Sequence, residues 1–205
     1  NVVVALGSCE KIKRTHVFLQ FQNLKKMYEK NFKKLFLLYE NLNFDLTRGE
    51  KLLVVGENGI GKTTLLKLIM NYLTPLEGKI IIGEKTSIAY YAQEHEILDS
   101  NKTILENFNS FGLPEYELRK VLGSFLFSGN EINKRISVLS PGERSRVALA
   151  KISLSGANTL LLDEPTNSLD LDAIRWLEEF LIDFENTVII VSHDRHFLNK
   201  VCTHI

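Results

Sequence analysis

Apolar residues in this chain recur in two rhythms. Leu52-Leu53-Val54-Val55, Leu160-Leu161-Leu162 and Val188-Ile189-Ile190-Val191 are unbroken runs. Strands buried on both faces of a parallel sheet have that look, which predicts strands over 52–55, 159–162 and 187–191. Lys79 to Ile82 and Ile88 to Ala92 predict shorter strands. Leu42-Asn43-Phe44-Asp45-Leu46 alternates as a half-buried strand does, and Phe18-Leu19-Gln20-Phe21 alternates weakly. The second rhythm is helical. Leu65, Leu66, Leu68, Ile69 and Leu73 share a face over Thr64 to Leu73, and Thr74-Pro75-Leu76-Glu77-Gly78 stops that helix. Trp176, Leu177, Phe180 and Leu181 share a face over Asp172 to Phe184. From about Glu94 to Lys151 helical periodicity dominates, over Thr103 to Phe108 and then Glu115 to Phe127, with Pro114 at the start and Ser128-Gly129-Asn130 at the end. The class is α/β, with a helical subdomain inserted between two halves of a sheet. Val2 to Leu6, followed by Glu10-Lys11-Ile12-Lys13-Arg14, fits either a first strand or the end of a linker.

Composition narrows the setting. At 205 residues the chain is one large domain, or one domain with a subdomain, and its 44% apolar content is that of a globular core. Net charge is zero, so no global field draws it to nucleic acid or membrane. No apolar run is long enough to span a bilayer. Cys9 and Cys202 lack metal-ligand spacing, which fits a reducing cytoplasm. The chain starts at Asn1 and ends in Thr203-His204-Ile205, which points to a fragment of something longer. Lys25, Lys26, Lys30, Lys33 and Lys34 cluster around Glu29. A solvated loop accounts for them; a patch for RNA phosphate is the sharper alternative. Tyr28 lies inside this cluster, and an aromatic there could stack on an adenine face.

The chemistry centres on Gly56-Glu57-Asn58-Gly59-Ile60-Gly61-Lys62-Thr63, which is G-x-x-x-x-G-K-[ST] without a mismatch. It follows a predicted strand and opens a predicted helix at Thr64. Glycines there let backbone N–H groups turn inward around phosphate oxygens, and the helix adds its positive end. Lys62 is placed to reach the outer phosphates, and the Thr63 hydroxyl to sit on Mg²⁺. The Leu160 strand ends in Asp163-Glu164. Ligands of open α/β sheets gather at the carboxyl ends of strands, so Asp163 is a candidate to orient Mg²⁺ and Glu164 to polarise the attacking water. The Val188 strand ends in Ser192-His193, which makes His193 a candidate contact for the terminal phosphate. Gln93 closes another strand at the same edge and could complete the Mg²⁺ shell or hold the water. Ser140 and Glu143 form S-x-x-E with Pro141 at the first helical position, a capping box. Local physics explains a helix start there, and a capped helix N-terminus is also an anion site.

Together these motifs resemble the ATP-binding-cassette ATPases. Gly56 to Thr63 is similar to their Walker A loop, with Thr64 next in the helix, and Leu160 to Glu164 to their Walker B strand and catalytic glutamate. Gln93 resembles the Q-loop glutamine, Tyr28 the adenine-stacking aromatic and His193 the switch histidine. Leu139 to Glu143 resembles the signature, and Ser168-Leu169-Asp170 the D-loop. Ser192-His193-Asp194-Arg195 with Phe197-Leu198, Glu143-Arg144, and Asp163-Glu164-Pro165-Thr166-Asn167 are similar to the soluble ABC-F branch. The resemblance implies a P-loop NTPase cassette over residues 16–205, with a mostly parallel sheet, an antiparallel β edge and an inserted helical subdomain over about 94–151; residues 1–15 stay a linker or leading strand. It implies ATP and Mg²⁺ as cofactors, ATPase activity, and action on the ribosome as a translation factor or in antibiotic resistance. It also implies a second cassette, in the same full-length chain or as a homodimer, because each ATP lies between one cassette's phosphate loop and the other's signature, here Ser140, Gly142 and Glu143. Hydrolysis by one cassette alone is then expected to be weak. The ATPase subunit of a membrane transporter is the alternative. Pro141 departs from the usual signature glycine and has no N–H to offer a phosphate.

Overall fold

The computed structural model describes residues 3–7, 17–30, 34–56, 59, 61–92 and 97–201, and over 3–7, 17–18, 21, 23–30 and 34–41 it defines the backbone alone. The strands are β1 (Val3–Gly7), β2 (Val17–Lys30), β3 (Lys34–Thr47), β4 (Lys51–Val55), β5 (Glu77–Ile82), β6 (Ile88–Tyr91), β7 (Thr159–Asp163) and β8 (Thr187–Val191). The α-helices are α1 (Lys62–Ile69), α2 (Glu115–Ser124), α3 (Pro141–Ser153), α4 (Leu171–Asp183) and α5 (Arg195–Val201). Short 3-10 turns occupy Leu105–Phe111, Glu131–Asn133 and Ile136–Val138.

The central sheet has the order β1-β4-β8-β7-β6. From β4 to β6 all pairs are parallel, and β1 closes the edge antiparallel to β4. The unbroken apolar runs are the inner strands, and each splits its residues between two cores. Leu53, Leu160, Leu162, Val188 and Ile190 face the core shared with α2, α3, α4 and α5. Leu52, Val54, Leu161, Ile189 and Val191 face the core shared with α1 and with Leu19 and Leu46 of the second sheet. Each such leucine or valine stabilises the fold by about 1.5–3 kcal/mol through burial.

The second sheet is antiparallel, in the order β3-β2-β5. Residues 42–46 alternate in exposure, as their pattern predicts. The lysine cluster is a correction. A solvated loop is expected there, yet β2 runs on to Lys30 and β3 begins at Lys34, with Tyr28 opposite Phe36. Register shifts between Phe21 and Leu24, Leu24 and Lys26, and Lys26 and Met27 break the period of two that would reveal a strand. Among the described residues β5 accompanies β2 only as far as Lys25, and beyond it the sheet narrows to a two-stranded ribbon. Lysines suit such open edges because they discourage pairing with another chain.

In the helical region, Thr103 to Phe108 does not start an α-helix. Thr103 N donates to Glu106 Oε2 at 2.8 Å and Glu106 N to Thr103 Oγ1 at 3.1 Å, and this box opens the 3-10 turn at Leu105. α2 stops at Ser124, short of the predicted Phe127, because Leu126 turns left-handed at φ 67° and returns the Phe127 N–H to Leu122 O at 3.0 Å. Phe125 then packs at a tilt against Trp176 of α4, 4.0 Å between ring centroids. Trp176, Phe180 and Phe184 continue as a ladder along α4, at 5.0 and 5.8 Å.

α4 has no basic residue in its last turn, and the cation its C-terminus favours comes from another element. Buried Lys51, at the start of β4, donates to Leu181 O at 2.5 Å and Ile182 O at 3.5 Å. Lys51→Met keeps the apolar stem and leaves these carbonyls without that donor. It should destabilise the fold by about 1–3 kcal/mol, lowering Tm in calorimetry by about 2–4 °C per kcal/mol for a chain of this size, with ATP affinity unchanged.

Candidate functional site

The site lies where β4, β7 and β8 end. Gly56 follows β4, and the chain turns through Gly59 at φ 81° and Gly61 at φ 103° before α1 begins. Both angles are left-handed, which a side chain would strain, so glycine is needed for the turn itself. No side chain caps α1 and no acidic residue sits in its first turn. α3 and α4 differ, being capped by Ser140 and Asp170. A helix start left without a protein carboxylate suits an anion from outside. Lys62, in the first turn of α1, is buried and donates to Gly56 O at 2.7 Å. Thr63 beside it is exposed and Thr64 half-buried. Glu57, Asn58 and Ile60 of the predicted loop lie outside the described residues.

Two carboxylates face Lys62 from the end of β7. Asp163 is buried, with Oδ2 accepting from the Tyr90 hydroxyl at 3.4 Å and Oδ1 without a hydrogen-bond partner. Burial pushes its carboxyl above the usual carboxylate range and Glu164 adds to the rise, while the Thr63 and Tyr90 hydroxyls and Lys62 pull it down. A buried carboxylate oxygen without a partner, whose charge burial disfavours, is the kind of donor a divalent cation satisfies. Thr63 and Asp163 therefore fit the Mg²⁺ expected here.

Glu164 sits at φ 47°, a left-handed backbone in a non-glycine residue. Such strain costs on the order of 1–3 kcal/mol and persists where surrounding bonds hold it. Here Glu164 N donates to Val191 O at 2.8 Å, tying the turn to the end of β8. The turn brings Glu164 Oε1 within 4.0 Å of Lys62 Nζ. Glu164 Oε2 accepts from His193 N at 3.3 Å and lies 2.8 Å from His193 Nδ1. The Glu164 side chain is 11% exposed and that of His193 62%. The carboxylate is thus fixed, and the imidazole that touches it can reach solvent.

The predicted residues Lys62, Asp163, Glu164 and His193 therefore converge. Gln93 lies outside the described residues, and Tyr28 is described only as backbone of β2. Ser140 and Glu143 form the predicted capping box, Ser140 N donating to Glu143 Oε2 at 2.7 Å and Glu143 N to Ser140 Oγ at 3.2 Å. Gly142 packs against the backbone of Ser168, and Asp170 caps α4 through Ala173 N at 2.9 Å. Leu169 is partly buried against the larger core. The sequence reading missed Tyr90, whose phenol reaches Asp163 from β6; a strand ending in two tyrosines next to a strand-end acid was its only signal. It also missed Arg146, which pairs with Asp170.

A family model described as "ABC transporter" matches residues 39–167. The Escherichia coli (strain K12) energy-dependent translational throttle protein EttA is 38% identical over 193 residues, which is 91% of this chain and 34% of EttA. YdiF of Bacillus subtilis (strain 168) is 49% identical over 170 residues, 82% of this chain and 26% of that protein. The ATP-binding protein Uup of Haemophilus influenzae is 42% identical over 173 residues, 81% of this chain and 27% of its own length. The chain thus spans about a quarter to a third of these relatives. The dimeric post-hydrolysis structure of the ATP-binding cassette MJ0796, bound to ADP and Pi, matches with a TM-score of 0.73 and 23% identity, over 89% of this chain and 91% of that one. That likeness establishes the fold.

The raised Asp163 carboxyl makes a stability prediction. Its charged form is disfavoured in the fold, so the cost is present above the folded pKa and vanishes as pH falls below the unfolded value, about 3.9. Asp163→Asn should raise the Tm of the nucleotide-free protein at neutral pH, by about 2–4 °C for each kcal/mol recovered, and the gain should disappear in acid. Adding Mg²⁺ and ATP should stabilise the parent more than the variant. A scan of Tm against pH, with and without Mg-ATP, checks both.

Proposed function

The chain belongs to the ABC transporter family, as an ATP-binding cassette of the ABC-F type, and we propose that it is one of two cassettes in a longer protein whose ATP-driven closure switches binding to the ribosome. ATP binding and ATPase chemistry come with the family. The observation that carries the catalytic assignment is the constellation of Lys62, Asp163, Glu164 and His193, assembled from the ends of three strands.

In this reading Lys62 leaves Gly56 O to hold the outer phosphates, and the N-terminus of α1 supplies backbone N–H groups to them, with Gly56 to Thr64 forming the cradle. Thr63 and Asp163, with Gln93, hold Mg²⁺, which neutralises phosphate charge when bound. Glu164 polarises the attacking water. His193 occupies one of its oxygens, which orients the other, and its exposure lets the ring turn toward the terminal phosphate. Tyr28 stacks on the adenine. Ser140, Gly142 and Glu143 meet the ATP of the second cassette, and Ser168 to Asp170 lie beside them. The capping box supports that role, because Ser140 keeps its hydroxyl at a helix start while Pro141 takes the position where a missing N–H costs nothing.

Several observations support the second cassette and the ribosome. The chain spans only a fraction of its relatives, and MJ0796 is dimeric in the structure it matches. Val138 and Leu171, next to the signature and the D-loop, expose large apolar side chains. EttA is named a translational throttle. Among the described residues no helix is long and apolar enough to cross a membrane. A ribosomal partner places the protein in the cytoplasm.

Glu164→Gln should lower ATP turnover by about 10²–10⁴-fold, the usual weight of a general base, with ATP affinity changed little; equal loss of binding would mean another residue is the base. In the full-length protein, with the matching change in the second cassette, ATP should send the protein into the ribosomal pellet. Recovery with membranes, indifferent to ribosomes, would instead support a transporter subunit.

A further inference from the structure

Arg146 lies on α3, downstream of the Ser140 cap, and it is used by none of the chemistry above. Its guanidinium pairs with Asp170. It also lies over the Phe127 ring, 5.5 Å from the centroid, and its Nε is buried without a hydrogen-bond partner. The Arg146 side chain is only 14% exposed, while that of Asp170 is 50% exposed. A solvent-exposed ion pair alone would restrain little; what fixes this one is the guanidinium, which packing on the Phe127 face holds toward the carboxylate. Asp170 uses its other oxygen to cap α4. Earlier on α3, a Cβ at Gly142 would stand 3.2 Å from Ser168 O, so the two backbones are in close contact.

α3 therefore grips the 168–170 segment at two points, one by backbone contact and one by charge. Two points restrain rotation as well as translation. That segment is in turn bound to the catalytic turn, since Asn167 N donates to Glu164 O at 3.2 Å and Leu169 N to Thr166 O at 3.3 Å. A continuous run of contacts thus leads from the Ser140 helix start to the backbone of Glu164.

We propose that Arg146 is a positioning residue that locks the signature end of α3 to residues 168–170, so that ATP engaged by Ser140 and Gly142 is felt at Glu164 of the same chain. This rests on the reading that the signature serves the second cassette's ATP. In a two-cassette protein, occupancy of one site would then set the water-polarising acid of the other.

The lock is tested by amide hydrogen exchange on this chain, with ATP affinity measured alongside. Asp170→Asn keeps the helix cap, because asparagine caps as well as aspartate, and turns the oxygen that meets Arg146 into an amide NH2 that cannot accept from it. Arg146→Gln and Asp170→Asn should each speed exchange over residues 166–173 by about tenfold, the double variant no more than either, and Arg146→Lys should recover part of the loss. Exchange at 62–64 and the Kd for ATP should stay within about twofold of the parent. In the full-length protein Arg146→Gln should lower kcat and leave KM unchanged. Unchanged protection at 166–173, strict additivity of the two substitutions, or an unchanged kcat would overturn the proposal. Failure of the parent chain to bind ATP would overturn the cassette reading instead, and the exchange pattern would still decide whether Arg146 locks the two segments.

Discussion

A strand covered on both faces has no place for charge except at its ends. β7 and β8 are buried throughout, and β4 nearly so, so the charged groups of the site stand at or beyond the ends of these strands. Burying an unpaired charge anywhere along them would cost several kcal/mol. The opposite end of the sheet obeys the same rule: Lys51 opens β4, and its ammonium is spent on the last carbonyls of α4. Asp163 is the limiting case at the other end, still inside the sheet and carrying an oxygen that the protein does not satisfy. Glu164 is one residue further on, and only by adopting a left-handed backbone does it return over the strand ends to meet Lys62 and His193.

The three helix starts in this region divide the work. α3 and α4 are closed by their own side chains, Ser140 with Glu143 and Asp170. α1 alone of these begins at a glycine with no side-chain cap. Capped starts hold geometry, and the uncapped one offers positive potential. Asp170 does two jobs, ending one segment and holding Arg146, so the stability of α4 and the placement of the 168–170 segment share a residue.

Much of this was legible in the sequence. The inner strands announced themselves by unbroken aliphatic runs, and the convergence of Lys62, Asp163, Glu164 and His193 followed because strand-end residues of one parallel sheet share an edge. The S-x-x-E box at Ser140 was readable because capping is local. The illegible parts depended on contacts distant along the chain or on irregular backbone. The ribbon made by β2 beyond Lys25 and by the start of β3 was hidden by bulges that scramble alternation. The turn at Leu105 reads as a helix because a 3-10 turn and an α-helix share their start signals. Arg146 looks like any arginine on an amphipathic helix, and nothing near it in sequence points to Asp170. Tyr90 was hidden in the same way, since a strand tyrosine reads as core until its neighbour strand is known.

The aromatic ladder on α4 carries a consequence of another kind. Trp176 is the chain's single tryptophan. It rests on Phe125 at the end of α2 and on Phe180 of its own helix, so the whole indole emission of the cassette originates at the joint between the helical region and the helix that follows the D-loop. The protein thus carries an intrinsic optical reporter at that joint, and it needs no label to be read.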